Sequence, residues 1–398
     1  MLHSVNTYPA FRLLLIGTLG TNTAFWMYQV AVGWLALEMT DSPFFVGLSG
    51  FVSGIPLLLI SLPAGVLIDR YDCRIVLLLA QAGVMIVAAI FALLVGIDML
   101  HPWTMLILVA AYGSAMSFVF PSRTTIVPSL VDRADLTNAI ALNAATQNLT
   151  RVIGPSLAGV LIAVVGAGGT FAIAAALQIG ALATTWRLPR STGNRVAGKM
   201  DWSSLMVGFR IVLSDRFLTM LILMALAPTV LVMPYINLMP VFARDELGLS
   251  STGLGILLAA VGLGSVAGAL SIARSARLRD WPHAQVVTAT IFGTVVLAFA
   301  LTPAVPVALL LLFVAGWTSA AYLALNQTVL QLHVDDAVRG RVISVYMLTW
   351  GMLPVGQLLV GTLADFTGTP VAVAIASALS ILCVIAIARQ AGASPQEA

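Results

Sequence analysis

Residues 75–96 read IVLLLAQAGVMIVAAIFALLVG, an unbroken apolar run between Arg74 and Asp98 with Gln81 as its one strongly polar side chain. A helix over this stretch reaches about 33 Å at 1.5 Å per residue, enough to cross the hydrocarbon of a bilayer. The run lacks the strict apolar–polar alternation of a membrane barrel strand. A helix is then the structure that can satisfy its own backbone in lipid.

Eleven further runs read the same way, at 11–37, 44–68, 103–121, 138–164, 168–188, 217–242, 252–273, 284–302, 304–326, 341–364 and 370–389, giving twelve in all. Hydrophobic residues make up 60% of the chain and charged residues 9%, with a mean hydropathy of +1.02. A soluble domain carries about 25% charged residues, so this composition cannot cover itself with a water-facing surface. The fold class expected is an all-α integral membrane protein with twelve transmembrane helices.

The net charge of +3 acquires meaning from its placement. With both termini in the cytoplasm and the turns assigned alternately, Arg244 alone of the 19 lysines and arginines falls outside, and Arg151 falls within a helix. Positive charge collects on the cytoplasmic side of membrane proteins, so this orientation is the one expected. The pI near 9.1 therefore reports topology, and no nucleic-acid partner is expected. The two cysteines, Cys73 and Cys383, suggest neither a disulfide framework nor a metal cluster. The first run has no small-residue cleavage site behind a basic flank and is expected to stay as the first span.

The longest hydrophilic break, 189–215, divides the runs into six and six, giving bundles at 1–188 and 216–398. Within it Trp202, Met206, Phe209 and Leu213 recur at helical spacing, as in a helix lying along the inner membrane surface; the alternative is an early start to the seventh span. The halves also resemble each other. Gly65-Val-Leu and Arg74 match Gly268-Ala-Leu and Arg277 at an offset of 203, and Val131-Asp132 with Ala134 match Val334-Asp335 with Ala337 at the same offset. Two parallel six-helix repeats with a binding site near mid-membrane form a transporter architecture.

The loop Gly65-Val-Leu-Ile-Asp69-Arg70-Tyr-Asp-Cys-Arg74 resembles the signature between helices two and three of the major facilitator superfamily. The resemblance implies that Gly65 lets helix two approach helix eleven. It also implies that Asp69 caps helix eleven near Gly340 and Arg341, latching an inner gate together with Arg70 and Arg74. Asp72 stands where the pattern has glycine and Cys73 where it has arginine, which implies a weaker charge network. Gly154-Pro155 followed by Gly159 resembles the helix-five element of the superfamily's exporters, where glycines allow tight contact and the proline bends the span. Glu38-Met-Thr-Asp-Ser-Pro43 with Val46-Gly47-Leu48, and Arg339-Gly340-Arg341-Val342 with Gly356 and Gly361, are similar to the enterobactin- and macrolide-efflux branch. One family piece is missing on this reading. Many proton-coupled exporters carry an arginine within helix four, whereas Trp103 to Pro121 contains none and Arg123 follows the helix.

Polar side chains are costly in lipid and tend to face a cavity or one another. Asn22, Trp26 and Gln29 form a stripe on helix one, Asn143, Gln147 and Arg151 on helix five, and Tyr346, Trp350 and Gln357 on helix eleven. Tyr235 and Asn237, with Trp317, Tyr322 and Asn326, are candidates to join them. Arg151 lies roughly 20 Å along its span and is expected to attract an anionic or zwitterionic substrate group; the alternative ties it to backbone carbonyls and neighbouring amides. The middle of the membrane has no carboxylate, so Glu38 is the candidate for proton coupling.

The function expected is secondary active transport: efflux of small amphipathic organic molecules, drug- or siderophore-like, from a bacterial cell through its inner (plasma) membrane by alternating access. An importer or facilitator of an anionic metabolite is the first rival, and a non-transporting scaffold or receptor the second. Nucleophile–base spacings, Walker-type loops and zinc-protease motifs are missing from the sequence, so no catalytic residues, cofactor or metal are expected. The partners expected are the small-molecule substrate, membrane lipid and protons, with the protein a monomer.

Overall fold

The structure is a computed structural model that describes residues 3–190, 202–274, 283–335 and 338–392. Arg195, Lys199 and Asp201 of the linker, the Arg277 and Ala337 repeat matches and the Asp69 side chain lie outside the described residues.

Every element among the described residues is helical. In chain order they are α1 (His3–Thr7), α2 (Pro9–Thr40), α3 (Pro43–Arg70), α4 (Cys73–Gly96), α5 (Pro102–Leu130), α6 (Leu136–Trp186), α7 (Trp202–Ser214) and α8 (Arg216–Leu231). There follow α9 (Met239–Val241), α10 (Ser251–Arg274), α11 (Ala284–Ala300), α12 (Val305–His333), α13 (Arg339–Gly351), α14 (Leu353–Thr367) and α15 (Thr369–Gly392). Nine described segments are long and apolar enough to cross a membrane. The twelve runs read from the sequence fall on eight of these, on the two arms of the ninth, the 51-residue α6, on α2 and on the shorter α11. Those arms meet at Gly166, whose φ of +73° turns the chain in a conformation that glycine adopts without steric cost.

Three sequence boundaries need correction. The fourth helix does not end at Pro121: α5 continues through Pro121 and Pro128 to Leu130 and carries Arg123 inside it. A proline removes one backbone donor, but in membrane helices side-chain hydroxyls and local adjustment make good the loss. Around Pro121 the hydroxyls bond back along the helix, Ser117 donating to Gly113 O and Thr124 and Thr125 to Pro121 O, rather than to the carbonyls of Ser117 and Thr124 that the two prolines leave free. The seventh span is regular only as far as Leu231, after which a 3-10 turn at Met233–Ile236, α9 and a wide turn at Phe242–Glu246 complete it. The eleventh span is interrupted at Met352, between α13 and α14, just before Pro354.

The chain forms two compact units. The first holds residues 1–41, 52–200 and 250–259. Its interior is built on Tyr28, whose ring stacks on Tyr112 and meets Phe91 and Phe171 edge-on. The second holds residues 42–51, 201–249 and 260–398. In it α7 packs through Val212 onto Leu218, Leu221, Val342, Val345 and Tyr346, leaving Met206 and Leu213 exposed.

Candidate substrate site

In the first unit the side chains that lipid would reject converge. Thr21 on α2 is fully buried, and its hydroxyl joins three other helices. Arg123 Nη2 from α5 donates to it at 2.6 Å, Gln81 Nε2 from α4 donates to it at 3.3 Å, and it donates to Gln178 Oε1 on α6 at 3.0 Å. Arg123 Nη2 also donates to Gly17 O at 2.9 Å. Arg123 sits seven residues before the end of α5, about 10 Å into the helix, and is 4% exposed. A cation at such depth costs about 2.5–3.5 kcal/mol on insertion scales unless it is compensated.

Beside this network lies a cavity of about 270 Å³, lined by Thr18, Asn22, Phe120, Pro121, Arg123, Thr124, Asn143 and Gln147. Three residues expected at the site, Asn22, Asn143 and Gln147, are therefore brought together. Arg123 joins them although the sequence reading placed it beyond the helix. A signal for it was present: Arg123, Ile126, Val127 and Leu130 fall at i, i+3, i+4 and i+7, and all four are buried.

Arg151 does not line this cavity. It is exposed, with its guanidinium carbon 5.7 Å from the centre of the Trp26 ring. Gly154, one turn on, lies against the same tryptophan: a Cβ there would stand 2.5 Å from Trp26 Cβ. Gln29 accepts a long bond from Ser53 Oγ at 3.4 Å.

The second unit handles its polar residues differently. Tyr322 donates its hydroxyl to Met224 O, and Asn326 Nδ2 donates to Leu221 O at 3.2 Å, so both tie α12 to α8. Tyr235 is buried beside Phe292 and Phe299, and Tyr346 belongs to the apolar cluster under α7. Trp317 Nε1 donates to Ser271 Oγ, while Trp350 is half-buried. Asn237 donates to Val46 O at 2.8 Å, and with Gln357 it packs over Gly50.

The repeat seen in the sequence recurs here in three dimensions. α5 and α12 are both 29 residues long and begin 203 residues apart.

The model of the transmembrane secretion effector family matches residues 6–396. The chain belongs to that family. Among relatives of this branch of the major facilitator superfamily, the staphyloferrin A transporter of Staphylococcus aureus (strain NCTC 8325 / PS 47) is 26% identical over 86% of this chain and 86% of its own. The enterobactin exporter EntS of Shigella flexneri is 29% identical over 96% of this chain and 91% of its own. Solved structures share the fold: the nucleoside transporter NupG at a TM-score of 0.74 and 14% identity, covering 97% of this chain and all of that one. A bacterial homologue of the iron transporter ferroportin reaches 0.71 at 18% identity, covering 95% and 98%. This secretion effector is thus a multi-pass membrane protein, a secondary transporter of the efflux type for small organic molecules, and not an enzyme.

The positions that the resemblance marked for gating fall as follows in this transmembrane secretion effector. Asp72, in place of the pattern's glycine, caps α4 by accepting from Arg74 N at 3.0 Å. Arg74 reaches over the Trp186 ring, and Cys73 is buried with its Sγ toward Ser122 O. A Cβ added at Gly65 or at Gly340 would meet nothing within 4 Å among the described residues. Tight backbone contacts include those of Gly159 with Gly255 and Gly113 with Ser53 in the first unit, and of Gly47 with Gly361 in the second. Pro155 is buried within α6, and Arg70 and Arg341 are exposed. Glu38 is exposed near the end of α2, accepting from Trp34 Nε1 at 2.5 Å.

Proposed function

We propose that the protein exports siderophore-like molecules, small and amphipathic, from the bacterial cytoplasm across the inner membrane. The observation that carries this reading is the family match over nearly the whole chain, together with relatives named for staphyloferrin A and enterobactin. The polar cavity of the first unit supports it, since a purely apolar bundle would not hold an oxygen-rich ligand. In this reading residues 1–188 and 216–398 act as the two alternating repeats, 189–215 joins them on the cytoplasmic side, and both termini are cytoplasmic. The protein works as a monomer. Protons drive it through Glu38, and Asp69, Arg70 and Arg74 act at the inner gate with Gly340 and Arg341.

Direction is the decisive measurement. A strain lacking the gene and the same strain overproducing the protein are grown under iron limitation, and siderophores are quantified inside and outside the cells. Cytoplasmic accumulation in the deletion strain, relieved by the plasmid copy, is expected. Equal intracellular levels together with faster uptake in the overproducer would turn the reading into import.

A further inference from the structure

We propose that the cavity beside Arg123 is an anion-headgroup site that takes a carboxylate bearing a hydroxyl on the neighbouring carbon. The inference rests on the export reading above and names the part of the exported molecule that the first unit grips.

Arg123 is 4% exposed and lines the cavity. Of its five N–H donors, Nη2 spends its pair on Gly17 O and Thr21 Oγ1, while Nε and Nη1 have no partner. A guanidinium does not shed its proton in proteins. None of the residues lining the cavity is acidic. A permanent positive charge with unpartnered donors therefore stands beside a cavity whose lining supplies no counter-charge, and an incoming anion completes it.

The same cavity carries the opposite deficit. Asn22 and Asn143 are 5% and 8% exposed, and the Oδ1 of each has no partner. These oxygens accept hydrogen bonds, so a bare anion fills the arginine and leaves them empty. A group with an O–H beside its oxyanion serves both sets, and among organic acids an α-hydroxycarboxylate is such a group. At about 270 Å³ the space falls short of the roughly 300–1,000 Å³ of a pocket for a whole drug-sized ligand, so it holds a headgroup while the rest of the molecule stays outside.

The second unit shows that packing does not require the charge. Asn326, at the position equivalent to Arg123, makes the matching bond to a backbone carbonyl with a neutral amide. The carbonyl bond by itself therefore does not call for a cation. Arg151, exposed over Trp26, has no enclosed donor set of this kind.

The test uses the full chain in nanodiscs with citrate as the probe, and tricarballylate, trimethyl citrate and inorganic phosphate as comparisons. Saturable citrate binding is expected, weakened about tenfold or more in Arg123→Gln and less in Arg123→Lys. Tricarballylate, which lacks the hydroxyl, should bind about fivefold more weakly, and trimethyl citrate should not bind. Arg151→Gln should stay within about twofold of wild type. The proposal is overturned if wild type shows no saturable citrate binding, if phosphate or trimethyl citrate binds as well as citrate, or if Arg123→Gln binds like wild type. The ligand series on wild-type protein decides the matter even where Arg123→Gln does not fold. Citrate binding without any cellular export leaves this site standing and removes the export reading; export without citrate binding does the reverse.

Discussion

Arg123 and Asn326 stand 203 residues apart at equivalent turns of α5 and α12, and each donates to a backbone carbonyl of the first long helix of its own unit, Gly17 O at 2.9 Å and Leu221 O at 3.2 Å. The two repeats share one hydrogen bond and differ in one charge. In the first unit the bond lies beside a polar-lined cavity.

Thr21 is the hub of the first network, and replacing its hydroxyl by a methyl of the same shape strands Arg123, Gln81 and Gln178 together. Thr21→Val is expected to lose about 2–3 kcal/mol, and Thr21→Ser to recover most of it. Asn326→Leu, which breaks a single neutral bond, should cost about 1 kcal/mol. Thermal unfolding in detergent ranks the three; Thr21→Val no worse than Asn326→Leu would show that the hub carries no special weight.

The glycines divide by what a methyl would meet. Gly159→Ala places a Cβ 2.5 Å from Ser251 O and 2.7 Å from Gly255 Cα, both backbone atoms that cannot swing aside. A loss of about 1–3 kcal/mol is expected there. Gly65→Ala meets open space within a helix and should be neutral or gain up to about 1 kcal/mol. Equal midpoints for the two variants would contradict this packing.

Tyr8 ties the start of the chain to the turn before α6, its hydroxyl donating to Asp132 Oδ2 at 2.9 Å and to Asp135 Oδ2 at 3.0 Å. Partial withdrawal from water, followed by these bonds to the two carboxylates, pushes the phenol up to about 12. A raised value means that the folded protein holds the proton more tightly than the unfolded chain. The contribution is therefore complete below about 10, the ordinary tyrosine value, and is lost as pH rises through about 12. Wild type should lose stability across that window more steeply than Tyr8→Phe, and the difference between the phenolate absorbance titrations of the two proteins should show the Tyr8 phenol ionising at about 12.

Glu38→Gln is expected to abolish uptake driven by a pH gradient into inverted vesicles while leaving ligand binding in place. A variant that keeps full gradient-driven uptake would exclude Glu38 as the proton carrier, and a membrane-potential dependence would then be the next measurement.

Much of this protein was legible without coordinates. Apolar length and charge placement are local and additive quantities, so residues such as 75–96 declare their solvent by themselves, and the matches at Val131-Asp132 and Val334-Asp335 expose the repeat. The separate polar stripes that hold Asn22 on helix one and Asn143 with Gln147 on helix five were visible because helical period decides which side chains share a face. Other features depended on neighbours that no local pattern contains. Pro121 ends a helix by the ordinary rule, yet α5 runs on through it, and the partners that meet Arg123 inside, Gly17 O and Thr21, come from another helix. Whether Tyr322 and Asn326 meet a ligand or a carbonyl, and whether Gly65 or Gly159 is the crowded glycine, depends on how each helix is rotated and where it crosses its partner. Sequence determined the solvent, the spans and the duplication; tertiary packing alone decided which buried polar groups are satisfied and which are left open beside a cavity.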